Sequence, residues 1–126
     1  MTPNLAEVAA TFYDAVASGD LTTLNSVLLS SFADDAVLVR PESLPGGGTL
    51  NGRDQIVRFM ERAAGKAPLE VLQIEVNEAG TEAFAHVEVT IARRISRALE
   101  WWTAVDGKVV AVRAFYWDTA AMLAVH

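Results

Sequence analysis

Hydrophobic residues along this chain keep a helical period in its first half and a strand period in its second. Leu5, Val8, Ala9, Phe12 and Val16 recur at helical spacing and lay one apolar stripe along a first helix. Asn4 and Glu7 stand where a capping box would start it, and Gly19 predicts its end. Asp20 suits the N-cap of a second helix whose inner face is Leu21, Leu24, Val27 and Leu28. Ala36 to Arg40 reads as a short strand closed by Pro41, and the glycines and prolines of PESLPGGGTLNG predict an irregular loop after it. A third helix is expected from about Arg53 to Ala64, with Ile56, Val57, Phe59, Met60 and Ala63 turned inward and Gly65 at its C-terminal cap.

From Leu69 onward, LEVLQIEV, TEAFAHVEVTIA, ALEWWTAV and KVVAVRAFYWD are rich in β-branched and aromatic residues. Turn signals at Asn77 to Gly80 and at Asp106-Gly107 separate them, which predicts an antiparallel meander. Three helices followed by long strands define an α+β domain, with the helices on one face of a strongly curved, mostly antiparallel sheet. No repeat or linker interrupts it, so residues 1–126 read as a single domain.

Strand alternation then sorts the polar residues. His86, Glu88 and Thr90 share one face of their strand, and Val87, Val89 and Ile91 share the other. If the polar face looks inward, His86 and Glu88 are a candidate acid and base; if it looks outward, they are a solvated face. On the last strand, Val110, Val112, Ala114, Tyr116 and Asp118 share one face, opposite Ala111, Arg113, Phe115 and Trp117. Tyr116 is either a core tyrosine or a pocket hydrogen-bond donor. Both faces are largely apolar, as expected of a sheet with a pocket on one side and a core or second subunit on the other.

Composition narrows the chemistry. An apolar fraction of 52% suits a folded domain rather than a disordered chain. The absence of cysteine removes disulfides and thiolate chemistry and suits a cytoplasmic protein. MTPNLAEVAATF lacks the pattern of a secretory signal, and no run approaches the ~20 apolar residues of a membrane span. A formal net charge of -6 disfavours nucleic acid as a partner, and Arg93, Arg94 and Arg97 read as a solvated hairpin tip. GGGTLNGRD lacks the lysine of a phosphate loop, and no nucleophile elbow is present. His86 has no second histidine at ligand spacing, so no metal site is expected.

The order of the pieces resembles the nuclear-transport-factor-2-like superfamily, in particular its ketosteroid isomerase and SnoaL-like branch. FYDAVASGDLTTL is similar to the opening helix and its break, FADDAVLVRP to the first strand, LNGRDQIVRFM to the entry of the third helix, and DGKVVAVRAFYWDTAAM to the final hairpin. The resemblance implies a cone-shaped fold around one pocket, and it does not fix the function, because this superfold hosts many. Ketosteroid isomerases carry a proton-shuttling aspartate before the proline of the first strand, where this chain has Arg40. Their helix-one tyrosine, a donor to the developing enolate, aligns with Phe12 or with the adjacent Tyr13, and their protonated aspartate aligns near Trp101. Limonene epoxide hydrolase has an Arg-x-Asp on its middle strand that His86-Val87-Glu88 echoes, which favours the inward orientation.

The expected protein is therefore a cofactor-independent acid–base enzyme, an isomerase, cyclase or epoxide-opening type, acting on a small apolar carbonyl- or hydroxyl-bearing metabolite such as a polyketide. Glu88 and His86 would transfer protons, Arg40 would stabilise negative charge, Tyr116 would orient substrate, and Asp118 is an alternative carboxylate at the pocket mouth. Phe12, Tyr13, Phe59, Trp101 and Val112 would line the substrate pocket. The alternative is a non-catalytic ligand-binding or assembly domain. Phe115, Trp117 and Trp102 on the opposite face predict a homodimer through the sheet.

Overall fold

The computed structural model describes residues 4–44, 47–66, 68–91 and 93–123. Helix α1 (Leu5–Ser18) starts where the capping box predicts. The Asn4 side chain accepts the Glu7 amide at 2.8 Å and donates back to the Glu7 carboxylate at 2.9 Å. Gly19, at φ 72°, ends the helix in the left-handed conformation that a side chain would oppose. Helix α2 (Leu21–Ser31) follows at once, capped by Asp20 through the Thr23 amide.

Strand β1 (Phe32–Arg40) begins four residues earlier than the pattern predicts, because a register irregularity between Phe32 and Val37 carries the exposed Asp34 and Asp35. The loop expectation after Pro41 is corrected at its far end. Gly48–Asn51 forms β2, a short edge strand antiparallel to β1, whose pairing satisfies backbone groups that a bare loop would leave to water. Helix α3 (Arg53–Ala63) is tied to β1 by the Arg53–Asp34 ion pair at 2.8 Å and by the Gly52 amide on the Ala36 carbonyl.

The second half forms β3 (Leu69–Val76), β4 (Glu82–Ile91), β5 (Arg94–Val105) and β6 (Lys108–Tyr116), followed by a short helix α4 (Thr119–Leu123). The meander is antiparallel as expected, and β6 then pairs with β1 in parallel to give the order β2-β1-β6-β5-β4-β3. That one parallel joint places the N-terminal strand beside β6, with β2 at the edge of the sheet. Arg93 and Arg94 are exposed at the β4–β5 turn, the solvated hairpin tip that the sequence predicts.

Helix α1 packs on β3 and β4 and α3 on β1, so among the described residues these helices cover one face of the sheet. The core beneath them is aromatic. Phe12 meets Trp102 edge-on at 5.3 Å and stacks on Phe32 at 5.9 Å, while Tyr13 meets both Phe12 and Trp102 edge-on. Among the described residues, no helix is long and apolar enough to cross a membrane.

Candidate functional site

Helices that lie close against a sheet require small side chains beneath them, and the inward residues of β4 and β5 supply these as Ala83, Ala85 and Ala98. Between the two layers lies a cavity of about 180 Å³. Phe12, Tyr13 and Val16 enter it from α1, Phe59, Met60 and Ala63 from α3, and Leu38 and Arg40 from β1. Leu69, Val89, Glu100, Ala114 and Tyr116 complete the wall from the other strands. An apolar cavity with a few convergent polar groups is the ordinary form of a small-molecule site.

Its polar groups form one network. Tyr13 Oη donates to Glu100 Oε1 at 2.6 Å, and Trp102 Nε1 donates to Tyr13 Oη at 2.9 Å. Arg40 lies beside Tyr116 and Glu100 in the lining, and its positive charge acts on both. The Arg40 guanidinium also lies 4.9 Å from the centre of the Phe59 ring, a cation–π contact that holds it against the cavity wall.

Burial governs the protonation of these groups. Desolvation pushes the Glu100 carboxyl above the ordinary carboxylate range, while the Tyr13 hydrogen bond and the Arg40 charge oppose that rise. Burial also raises the Tyr13 phenol, assisted by the Glu100 charge, so its proton stays on across the working pH range. Tyr116 is raised by burial and by Glu100, and Arg40 pulls it back. A buried carboxyl held above its usual value beside a cation is a candidate acid and base for a ligand in the cavity.

Of the residues expected at the site, Arg40, Tyr116, Phe12, Tyr13 and Phe59 all line this cavity. Others do not. The inward orientation favoured for His86 and Glu88 is corrected: Ala83, Ala85 and Val87 are buried under the helices, so alternation turns Phe84, His86 and Glu88 to the outer face. Glu88 pairs there with Arg97, its cross-strand neighbour, at 3.4 Å. Trp101 is likewise corrected to the outer face, where it stacks on Phe84 and lies 4.7 Å beneath the Arg113 guanidinium. Trp102, expected outside, is fully buried inside. Val112 is a core residue rather than a lining one, and Asp118 is exposed beyond the end of β6, away from the cavity lining. His126 lies outside the described residues.

The residue that the sequence reading missed is Glu100. It stands one place before Trp101, where the family resemblance puts a protonated aspartate, and a shift of one residue on a strand reverses the face. The available signal was Ala98, two residues back, small enough to lie beneath the helices and therefore a marker of the inner face.

A wider depression of about 660 Å³ lies on the outer face, bordered by Gln73, His86, Leu99, Phe115 and Trp117. Among the described residues there is no group of three or more histidine, cysteine, aspartate or glutamate side chains placed to hold a metal ion.

Helices on one face of an open, curved sheet, with a carboxyl, a guanidinium and two phenols lining an apolar cavity, make a nuclear-transport-factor-2-like fold. The SnoaL-like domain description matches residues 9–115, and the chain belongs to that family. Among solved structures it is similar to Bal32a from a soil-derived mobile gene cassette, at 20% identity and TM-score 0.76 over 95% of this chain and 94% of that one. It is also similar to a proposed SnoaL-like polyketide cyclase from Jannaschia sp. CCS1, at 15% identity and TM-score 0.73 over 95% and 90% of the two chains. A proposed ketosteroid isomerase from Kribbella flavida DSM 17836 shares 20% identity and TM-score 0.72 over 89% and 76%. At these identities the likeness concerns the fold. No curated protein matches the chain.

Proposed function

We propose that this chain is a cofactor-independent acid–base enzyme of isomerase or cyclase type acting on a small apolar metabolite that carries a carbonyl group. The observation that carries the proposal is the Glu100 carboxyl, raised by burial and placed with Arg40 and Tyr116 in one apolar cavity. Its carboxylate would take a proton from the carbon beside the carbonyl, and the electron pair would pass to the carbonyl oxygen. Arg40 would stabilise the resulting enolate, Tyr116 would orient it, and Glu100 would return the proton at a second carbon. Atoms balance without any further reactant. The family relationship and the fold shared with a proposed cyclase and a proposed isomerase support the same class.

A cavity of about 180 Å³ favours a small ligand. One observation favours a binding domain without catalysis: Tyr13 and Arg40 already have partners within the protein.

Deuterium incorporation from heavy water into a panel of small cyclic enones and β-keto acids, followed by NMR, separates the two readings. Incorporation catalysed by the parent should fall about 10²- to 10⁴-fold in Glu100→Gln and persist in Glu88→Gln. A Glu100→Gln protein as active as the parent removes Glu100 from the mechanism. Binding without exchange by the parent would support the alternative.

For assembly we propose a homodimer paired through the outer face. The exposed Phe84, Leu99, Phe115 and Trp117 support it, because monomers rarely leave a continuous apolar patch of this kind in water. Trp101 takes the place in that patch that the sequence reading gave to Trp102.

A further inference from the structure

The hydrogen bonds around Glu100 have a direction that the donor chemistry fixes. An indole N–H can only donate, so the Tyr13 oxygen must accept from Trp102 Nε1. Tyr13 then has one proton to give, and it gives it to Glu100 Oε1 at 2.6 Å, within the range of an O–H···O⁻ bond. The reverse arrangement, with Glu100 donating through Oε1, would take that acceptor from the Tyr13 proton at a residue only 2% exposed.

We propose that Trp102 and Tyr13 form a directed hydrogen-bond chain that positions Glu100 and confines its proton exchange to the other carboxyl oxygen, Oε2. This rests on the reading in which Glu100 moves the substrate proton. Tyr13 is then a positioning residue. Its proton is committed to the protein, so it does not serve the ligand as the helix-one tyrosine of ketosteroid isomerases does. Enolate stabilisation falls to Arg40 and Tyr116, which come from other elements, β1 and β6. The groups that act on Glu100 are Tyr13 from α1 and Arg40 from β1, and Glu100 in turn acts on Tyr116 from β6; α3, β3 and β4 bring only apolar side chains to the cavity.

The carboxyl resonance of Glu100, labelled with ¹³C and assigned by its loss in Glu100→Gln, can be titrated without any substrate. A donor favours the carboxylate, so Tyr13→Phe should raise the proton affinity of Glu100 roughly tenfold. Trp102→Phe should shift it in the same direction by less, because the indole strengthens Tyr13 as a donor. Should Tyr13→Phe fail to fold, 3-fluorotyrosine incorporated into a Tyr116→Phe background tests the same link with little change in shape. The more acidic fluorophenol should lower the proton affinity of Glu100. A midpoint unmoved in Tyr13→Phe, or unmoved by fluorination, overturns the proposal, and no effect of Trp102→Phe removes Trp102 from the chain. Because the titration needs no turnover, it stands apart from the enzymatic reading, which falls instead if Glu100→Gln remains active.

Discussion

The two faces of the sheet use the same strands for opposite purposes. On the inner face, alanines at 83, 85 and 98 allow the helices to approach, and the larger residues Glu100, Trp102 and Tyr116 appear at the cavity or in the aromatic core. Neighbouring positions on the outer face carry Phe84, His86, Leu99, Trp101 and Phe115, all broad side chains. The inner face joins Trp102, Tyr13 and Glu100 in a network with defined donors and acceptors. On the outer face, charged and aromatic groups lean on one another, Arg113 over Trp101 and Arg97 against Glu88, with water at hand. Residue size, more than polarity, tells the two faces apart.

Trp101 and Trp102 are adjacent in sequence and opposite in situation, so they give the sharpest test. Trp102→Ala should cost about 3–5 kcal/mol in urea unfolding, since it empties a fully buried site in the aromatic core. Trp101→Ala should cost on the order of 1 kcal/mol or less. Equal losses would mean that the outer face is as tightly packed as the inner one, as a stable dimer interface would make it.

That possibility can be examined directly. Phe115→Glu places a charge in the middle of the outer face and should weaken dimerisation at least tenfold, read by light scattering, with little change in the cavity. A parent that stays monomeric at high micromolar concentration would sink the dimer.

The smallest effect concerns pH and the inner face alone. The folded-state pKa of Glu100 is raised, so the native protein holds this proton more tightly than the unfolded chain does. Its contribution to stability is complete below the unfolded carboxylate value and is lost as pH rises through the folded value. Glutamine imitates the neutral acid. Glu100→Gln should therefore melt with the parent under acidic conditions and slightly above it under alkaline ones, and a variant that melts lower under alkaline conditions would show that Arg40 stabilises the carboxylate more than burial opposes it.

Most of the fold is legible in the sequence, because its signals are local. The capping box at Asn4, the break at Gly19 and Asp20, and the change of period at Leu69 each act within a few residues. What escapes is what depends on distant partners. Strand β2 exists because β1 offers it an edge, and neither Gly48 nor Thr49 announces that. The site is half legible for the same reason. Arg40 and Tyr116 lie on strands whose inner face can be judged from the sequence, whereas His86 and Glu88 sit on a face that alternation defines but cannot name as inner or outer. The resemblance to limonene epoxide hydrolase favours the inward orientation, and the structure turns both residues outward. The alanines that alternate with this face, Ala83 and Ala85, carried the information, since small residues let the helices approach the strand.

The bonds that join Tyr13 to Glu100 and to Trp102 span 87 and 89 residues of sequence. Contacts of such separation reward the chain only after a long loop has closed, which makes them late and slow features of folding. The first helix and the fifth strand must both be in place before the cavity has its carboxyl oriented. A partly folded chain that has lost either one has no site at all, so a molecule held beside Glu100 binds the native form alone. Its concentration relative to its dissociation constant would then raise the melting temperature of the whole domain, which lets a thermal-shift screen find ligands before any reaction is known.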